Sequence, residues 1–455
     1  MNDTYDVIVV GAGPAGLIAS YELSKNSDLS ICIVEKGKHS IQRFRNLLTH
    51  GTCLNDENCD TVHGIGGAGL FSDGKLCLSN DVGERLKDLT DMFTMDTVKY
   101  IDDILKNKGV IKSKRINEIV ELEKIAEKLG LNFKHYDVRK LGSEDSRVLV
   151  SELEKEILDR NVAILVNCCA TDLSQKIDGS WKIKIKKDKT NSVIRSRFLL
   201  VGTGRSEAKW FLGQAKKFNI KTEPTPFYLG IKIETKRTVM EPLTRLSYNP
   251  KLSYGQKGVN YIKTHCFCEG GMVVSYVSNN TRVIGGVSDD GENTSFSVLL
   301  EQQVPQGYST YEYGSWLCSL INQVGGQKIF LQRLGEFKRS KTSKKSDIEV
   351  NEVQPTLTDV SLKNISTMLP TSNIFSIIEF IKKIDHICPG LDEDSTLIYA
   401  PVLEWCVDRF HVGENMETNR KNLYAIGDGS GTTQGIVAAA ATGLIAARDV
   451  MFKTR

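Results

Sequence analysis

Residues 5–16 read YDVIVVGAGPAG, an apolar strand that runs directly into the pattern Gly-x-Gly-x-x-Gly. The continuous apolar run Tyr5–Val10 is typical of a central parallel strand that is buried on both faces. Gly11 permits a tight turn and Gly13 lets the backbone approach a pyrophosphate, while Gly16 allows the next helix to pack on the strand. The unpaired N–H groups at the start of that helix would face the phosphates. The segment therefore predicts a dinucleotide site.

An acidic residue stands where such a site needs one. A second strand, Leu29–Val34, ends at Glu35, close to the spacing of about 20 residues at which a carboxylate accepts both ribose hydroxyls. Its negative charge disfavours a 2′-phosphate, so we do not expect NADP at this site. These residues do not by themselves distinguish NAD from FAD.

The C-terminal residues make that distinction. Leu423–Ile426 is predicted to be a strand that leads into Gly427–Gly431, and Thr432–Gly435 then opens a small-residue helix over Ile436–Arg448. Asp428 at the strand end can hold a ribityl hydroxyl, and the N–H groups at the helix start can hold a pyrophosphate or the flavin C2 carbonyl. We therefore predict FAD, with an alanine-rich core helix after a glycine-rich turn as the alternative.

A second glycine-rich segment, residues 64–76, reads GIGGAGLFSDGKL. Its glycines would admit the flat isoalloxazine at close range, and its N–H groups can bond flavin N5 and O4. Lys75 could pair with Asp73 or stabilise the reduced anionic flavin. We predict that this loop contacts the cofactor.

A third glycine-rich segment, Val201–Gly204, ends a strand and suggests a second nucleotide site. The sixth position of that pattern is Glu207, where a nucleotide-binding helix needs Gly or Ala for packing. We therefore expect this segment to contact the first nucleotide domain, and we expect no dedicated NAD(P)H domain.

Four residues are candidates for a direct chemical role. His265 is a candidate for proton transfer. His63 is a further candidate for proton transfer but is not one of the four. Cys266 and Cys268 would point to one face of an extended segment, but a disulfide ring that small is strained, so packing is the alternative to a substrate-facing thiol. Glu404 precedes the C-terminal motif and could reach the site. The catalytic candidates are Lys75, His265, Cys266 and Glu404.

The predicted cofactor-binding residues combine these segments with Lys36 beside the acid and Ala170 on a later strand. They are Gly11, Gly13, Pro14, Ala15, Gly16, Glu35, Lys36, Gly66, Gly67, Ala68, Gly69, Phe71, Ser72, Asp73, Ala170, Gly202, Gly204, Gly427, Asp428, Gln434, Gly435 and Ile436. No metal site is predicted, because the cysteines are not spaced as a tetrahedral ligand set.

Composition excludes several other classes of function. The 455 residues carry a formal net charge of +3, which is too small to indicate nucleic acid or an anionic membrane as the main partner. The longest uncharged apolar run, near Ile436–Ala447, is well short of the roughly 20 residues of a transmembrane helix. The N-terminus lacks the basic region of a signal peptide. We expect a cytoplasmic protein with a small-molecule substrate, and a homodimer is a candidate assembly.

The chain resembles the glutathione-reductase-type FAD superfamily in the pair GAGPAG with Glu35 and YAIGDGSG. More narrowly, it is similar to a widespread family of bacterial and archaeal FAD-dependent dehydrogenases. That narrower likeness is carried by residues 64–76 and extends over nearly the whole chain, through Val138–Ser143, Val201–Ser206, Cys266–Gly271, Gln332–Phe337, Pro355–Thr356 and Leu369–Pro370. The resemblance implies an FAD domain interrupted by a β-rich substrate domain, and it implies no particular substrate.

The predicted fold class is α/β. A Rossmann-like FAD-binding domain, with a parallel sheet, helices on one side and a β-hairpin or meander on the other, is interrupted by a β-rich α+β substrate domain and a helical insertion. The predicted boundaries are 1–80, 136–215 and 395–455 for the FAD domain, 81–135 for the helical insertion and 216–394 for the substrate domain.

The predicted function is two-electron dehydrogenation or reduction of a small organic substrate, by hydride transfer at flavin N5. NAD(P)H or an electron carrier is the candidate transient redox partner. One alternative is an ene-reductase that resembles geranylgeranyl reductases. A non-enzyme alternative is a fold relative like the Rab GDP-dissociation inhibitors, which binds a protein partner; the intact Glu35 and Asp428 argue against it.

Overall fold

The computed structural model describes residues 3–43, 59–71, 74–82, 84–105, 109–112, 115–278, 281–288, 290–404 and 406–455. Two of the predicted cofactor residues, Ser72 and Asp73, lie outside these ranges, so the predicted pairing of Lys75 with Asp73 does too.

Strands and helices follow one another along the described residues. The strands are β1 (Thr4–Val10), β2 (Ile31–Val34), β3 (Lys75–Cys77), β4 (Val110–Ile111), β5 (Asn132–Lys134), β6 (Val138–Lys140), β7 (Ala163–Leu165), β8 (Cys168–Gln175), β9 (Trp181–Lys187), β10 (Thr190–Val201), β11 (Thr222–Glu223), β12 (Phe227–Lys236), β13 (Lys251–Tyr254), β14 (Ile262–Cys268), β15 (Met272–Ser278), β16 (Thr281–Val287), β17 (Asn293–Gln302), β18 (Ile329–Arg333), β19 (Val360–Leu362), β20 (Leu397–Glu404), β21 (Arg409–Phe410) and β22 (Leu423–Ala425). The α-helices are α1 (Pro14–Asn26), α2 (Glu84–Lys87), α3 (Met95–Ile104), α4 (Ile116–Lys128), α5 (Gly142–Asp159), α6 (Ala208–Phe218), α7 (Arg237–Thr244), α8 (Thr310–Val324), α9 (Leu334–Lys338), α10 (Lys345–Glu349), α11 (Thr371–Asp385) and α12 (Ile436–Thr454).

A seven-stranded sheet carries both terminal glycine motifs. Its order is β7-β2-β1-β10-β9-β8, and β22 also pairs with β10. The strands β7, β2, β1, β10 and β22 are parallel to one another, whereas β8, β9 and the first half of β10 form an antiparallel meander. The predicted α/β fold class, with a parallel nucleotide-binding sheet, is therefore confirmed.

Both faces of this sheet are buried. Val7 and Val9 of β1 point into a core that contains α1, α5 and α12, and Ile8 and Val10 point into a second core with the meander and α6. This arrangement accounts for the continuous apolar run in β1, because a strand covered on both faces has no solvent side.

Helices α1 and α12 touch through their backbones. A Cβ at Gly443 would lie 2.0 Å from the carbonyl oxygen of Ala15, and a Cβ at Gly16 would lie 2.0 Å from the carbonyl oxygen of Gly11. No side chain fits at either position. Glycine at 443 therefore allows the two chain ends to pack together, and glycine at 16 allows α1 to pack on the turn after β1.

A second sheet of eight strands forms the other half of the molecule. Its order is β19-β18-β20-β12-β17-β14-β13-β5, and neighbours are antiparallel except β18 and β19. In β12 every second residue, from Phe227 to Ile233, enters a core shared with α4, α7 and α11. The alternate residues of β12, among them Tyr228 and Lys232, face the seven-stranded sheet across a cavity.

Smaller elements complete the structure: β3, β6 and β4 form a three-stranded sheet, β15 and β16 form a hairpin, and β11 pairs with β21. The strand Leu397–Glu404, which the prediction placed with the FAD domain, pairs with β12 and β18. The domain boundaries otherwise stay a prediction. No helix in the described ranges is long and apolar enough to cross a membrane.

The segment predicted as a helical insertion contains α4, which begins at Ile116 with Arg115 at its N-cap. The segment 81–135 also holds β4 and β5, so it is not helical throughout.

Candidate cofactor and active site

One cavity of about 1580 Å³ lies between the two sheets and is lined by residues from both chain ends. Of the predicted cofactor residues, those that line it are Gly11, Gly13, Pro14, Ala15, Glu35, Lys36, Gly67, Ala68, Gly69, Phe71, Ala170, Gly202, Gly204, Gly427, Asp428, Gln434, Gly435 and Ile436. All four catalytic candidates line it as well: Lys75, His265, Cys266 and Glu404. Gly16 and Gly66 do not line it; Gly16 packs against Gly11, and the N–H of Gly66 donates to the Ala12 carbonyl at 2.8 Å.

The first glycine motif presents open backbone to this cavity. Gly11 has a φ of +99° and a Cβ there would lie 2.3 Å from the carbonyl oxygen of Gly202, so the turn admits only glycine. At Gly13 the nearest neighbour of a Cβ would be 4.0 Å away, which leaves space beside the backbone. Gly13 is the N-cap of α1 and supplies no side-chain cap. The first N–H groups of α1 therefore offer an anion site.

Glu35 organises three backbone segments around the same point. Its Oε1 accepts the N–H groups of Gly37 and Gly64, each at 2.8 Å, and its Oε2 accepts the N–H of Ala12 at 2.8 Å. The carboxylate is buried at 6% exposure, yet each oxygen has two lone pairs and the residue lines the cavity. It can therefore hold the glycine turn in place and also accept a sugar hydroxyl.

Asp428 carries an unsatisfied oxygen into the cavity. Its Oδ2 accepts the N–H of Gly435 at 3.3 Å, whereas its enclosed Oδ1 has no hydrogen-bond partner in the described part of the chain. Burial raises the pKa of this carboxyl to about 6, and the charge of Arg205 opposes the rise. A buried acceptor without a donor calls for a ligand hydroxyl, because an unpaired polar atom is costly.

The start of α12 forms a second open cradle. Gly435, its N-cap, has a φ of +110°, and a Cβ there would meet nothing within 4 Å. The helix has no side-chain cap, so its first N–H groups and the positive end of its dipole are available to a ligand.

An ionic cluster links the two sheets at the wall of the cavity. Arg205 Nη1 lies 2.5 Å from Glu404 Oε2, and Gln434 Nε2 donates to the same oxygen at 2.7 Å. The Glu404 carboxylate, the largest influence on Arg205, raises the pKa of its guanidinium. The sequence analysis did not identify Arg205, although it directly follows the glycine-rich segment 201–204, which was the available signal.

The loop after Gly64 lies against both glycine motifs. A Cβ at Gly67 would lie 3.1 Å from Gly13 Cα, and a Cβ at Gly69 would lie 3.3 Å from the side chain of Ile436. The loop is held by Arg43, which the sequence analysis also missed. Arg43 donates to the carbonyls of Asp60, Thr61, Gly64 and Ile65, and burial lowers its pKa to about 10.

Three of the four catalytic candidates, Lys75, His265 and Cys266, lie together at β14 on the far wall of the cavity. Lys75 donates to the carbonyl of Phe267. Cys266 sits at a β-bulge of β14 with a φ of +47°, and its Sγ is 3.2 Å from His265 Nδ1. Burial raises the pKa of the Cys266 thiol and lowers that of His265 well below its usual range. Both groups are therefore neutral near pH 7, and Cys266 and Cys268 are free thiols.

His63 lies near the cofactor-side wall instead. Its Nε2 is 3.3 Å from Glu207 Oε1, which also pairs with Lys36 Nζ at 2.7 Å. No group of three or more His, Cys, Asp or Glu side chains within the described ranges is arranged to hold a metal ion.

Two family models match the ends of the chain. The model described as the Thi4 family matches residues 2–40, and the model described as glucose inhibited division protein A matches residues 324–455. A protein of Clostridium beijerinckii, described as uncharacterized, is 25% identical over 485 aligned residues that cover 98% of this chain and 80% of that protein. The electron transfer flavoprotein-ubiquinone oxidoreductase of Arabidopsis thaliana is 60% identical over 38 residues, 7% of this chain and 6% of that protein.

Solved structures are similar at a low level. Glycine oxidase from Geobacillus kaustophilus superimposes with a TM-score of 0.42 and 10% identity, covering 99% of this chain and 95% of that one. A geranylgeranyl bacteriochlorophyll reductase-like protein from Thermoplasma acidophilum has a TM-score of 0.39 and 13% identity, covering 99% of this chain and 79% of that one.

The residues present fit FAD. Two uncapped helix starts can hold the pyrophosphate, Glu35 can accept a sugar hydroxyl, and the unpaired oxygen of Asp428 can accept a hydroxyl of the ribityl chain. The matched segments at the two chain ends each supply residues that line this cavity. The chain is a flavoprotein of the oxidoreductase class with FAD as its cofactor.

Proposed function

We propose that this protein oxidises or reduces a small organic substrate by two electrons, exchanged with bound FAD as hydride at the flavin N5. We also propose that it belongs with the FAD-dependent dehydrogenases of the glutathione-reductase-type superfamily. In this proposal the predicted cofactor-binding residues hold FAD and the predicted catalytic residues contact the substrate. The chain is divided into an FAD domain and a substrate domain, as predicted.

The size of the cavity between the two sheets is the observation on which the proposal depends. Its volume of about 1580 Å³ exceeds the range of about 300–1,000 Å³ that is usual for a single small ligand. The cofactor residues line one side, and the polar face of the eight-stranded sheet lines the other. This supports a site for a second molecule beside the cofactor.

The residues of the chain would act by orientation and by proton transfer. Glu404, at the end of β20, bonds to both Arg205 and Gln434. These contacts hold the start of α12 in position relative to β20. His265, which is neutral, can accept a proton from a substrate group and return it. Cys266 is protonated and beside it, so it serves as a donor rather than as a nucleophile.

The experiment is an anaerobic titration of the purified protein. The flavin spectrum establishes cofactor content first. Stepwise addition of NADH, of NADPH, and of dithionite as a chemical control then shows whether the flavin is reduced by a nicotinamide. A flavin that dithionite bleaches, and that regains its colour only when an organic oxidant is added, supports a reductase.

The reverse assay covers a dehydrogenase. Panels of amino acids, hydroxy acids and enoates are mixed anaerobically with the oxidised protein, and bleaching of the flavin is followed. If the FAD-loaded protein exchanges electrons with no member of these panels and with neither nicotinamide, the proposed reaction is wrong.

A further inference from the structure

Lysines line the cavity along one face of the eight-stranded sheet. Lys232 of β12, Lys251 of β13 and Lys263 of β14 all line it. The register explains this, because Lys232 lies opposite Ser297 on β17, and Ser297 lies opposite His265 on β14. Residues that are directly opposite one another in a sheet project to the same face.

Two of these lysines have no ion-pair partner among the described residues. Lys232 is 1% exposed, and neither it nor Lys251 has a side-chain hydrogen bond or ion pair within the part of the chain that the structure describes. Lys263, in contrast, lies over the ring of Tyr228, with its Nζ 3.8 Å from the ring centroid. Burial lowers the pKa of Lys251.

The acidic side chains on this face are already engaged. Glu301 accepts the hydroxyl of Tyr228 at 3.2 Å and the N–H of Gly258 at 2.6 Å. Glu404 accepts the guanidinium of Arg205 and the amide of Gln434. Neither carboxylate is bonded to Lys232 or Lys251.

The absence of a side chain at Gly286 leaves room for one of the two ammonium groups. Gly286 on β16 faces Lys232, and a Cβ at Gly286 would lie 2.6 Å from Lys232 Nζ. An ammonium group that is buried without a partner is strongly disfavoured unless something pairs with it. A pocket with one such group in its wall, and with the half-buried Lys251 as a second unpaired ammonium, is suited to a ligand that brings the missing negative charge.

We propose that Lys232 and Lys251 bind the negative charge of an anionic small organic substrate, carried by a carboxylate or a phosphate. The charges of both lysines act on Cys266 and His265, so the anion would lie beside the catalytic candidates. This assignment rests on the proposed function in one respect, since it takes the bound anion to be the substrate of that reaction.

The test uses the FAD-loaded protein and three probes that share one phenyl ring: benzoate, phenyl phosphate and neutral benzamide. Binding is followed by calorimetry and by the difference spectrum of the flavin. We expect at least one anion to bind, and its affinity to fall as sodium chloride is added. The stronger of the two anions identifies the carboxylate or the phosphate as the recognised group.

Substitutions locate the binding. Lys232→Met and Lys251→Met remove the charge but keep the length and apolar stem, and each should raise the dissociation constant of the anion at least about tenfold. Benzamide binding and FAD content should not change. Lys236→Met is the matched control on the same strand, because Lys236 pairs with Glu352 outside the cavity. Lys232→Gln and Lys251→Gln also remove the charge and serve if a methionine variant does not fold.

The proposal would be overturned if the Lys232 and Lys251 variants bound the anion as tightly as the wild type. It would also be overturned if neither anion bound. The proposed reaction fails by a separate observation, namely a flavin that no substrate or nicotinamide reduces. A protein that binds benzoate through Lys232 and Lys251 but shows no such reduction keeps the anion site and loses the reaction.

Discussion

Arg205 Nη1 lies 2.5 Å from Glu404 Oε2, and this contact connects two different sheets. Arg205 follows the end of β10 in the seven-stranded sheet, whereas Glu404 ends β20 in the eight-stranded sheet. Gln434, just before α12, shares the same carboxylate oxygen. The contact therefore helps to position the cavity-facing side of the eight-stranded sheet relative to the cofactor residues of the seven-stranded sheet.

We expect Arg205→Met to weaken FAD binding and turnover by at least about tenfold, because it leaves the partly buried Glu404 carboxylate without its cation. Flavin fluorescence titration of the apoprotein measures the binding. Arg197→Met, which removes an exposed arginine from β10, the strand that precedes Arg205, is the control. Equal FAD affinity in the Arg205 and Arg197 variants would contradict a positioning role for the ion pair.

The pKa of Asp428 predicts a pH dependence of the apoprotein. Its folded-state pKa of about 6 lies above the unfolded value of about 3.9, so the folded state binds more protons between these values. Stability from this group is therefore present at low pH and is lost as the pH rises from about 4 to about 6, by at most about 3 kcal/mol.

Asp428→Asn should remove that dependence. Above pH 6 the apoprotein of the variant should melt at the same or a higher temperature than the wild type, while its FAD affinity falls because the charged acceptor is lost. Thermal unfolding at several pH values measures the first effect, and fluorescence titration measures the second. A wild-type apoprotein with the same pH profile as the variant would show that Asp428 does not titrate in this range.

Gly13→Ala separates cofactor binding from folding. A Cβ at Gly13 has no neighbour nearer than 4.0 Å and the residue has a φ of −75°, so alanine fits the apoprotein. The methyl group would occupy the space in which the pyrophosphate approaches the backbone. We expect an unchanged melting temperature without FAD and at least about tenfold weaker FAD binding. Unchanged flavin content in the purified variant would show that this turn does not carry the phosphates.

Gly443→Ala tests the contact between the two chain ends. The new Cβ would lie 2.0 Å from the carbonyl oxygen of Ala15, so the helices must separate, at a cost of about 1–3 kcal/mol. Gly213→Ala in α6 is the matched control, because a Cβ there meets nothing within 4 Å and alanine favours a helix over glycine by roughly 1 kcal/mol. The free energy of unfolding, measured with a chemical denaturant, should therefore fall for Gly443→Ala and rise for Gly213→Ala.

The residue pattern alone predicted much of the nucleotide fold. The strand–turn–helix at Gly11 and the motif at Asp428 each depend on contacts within a few residues, so local sequence contains them. The pairing of the N-terminal and C-terminal segments could also be predicted, because each segment supplies only part of an FAD site.

The tertiary structure alone decided which distant side chains meet. Lys232 and Ser297 are brought together by the register of strands that are far apart in sequence, whereas Arg205 and Glu404 meet because the ends of two sheets pack together. Strand register depends on the packing of whole faces and not on local propensity. The chain's own sequence therefore determined the cofactor motifs, and the folded sheets decided the ionic cluster, the unpaired lysines and the wall on which a substrate would lie.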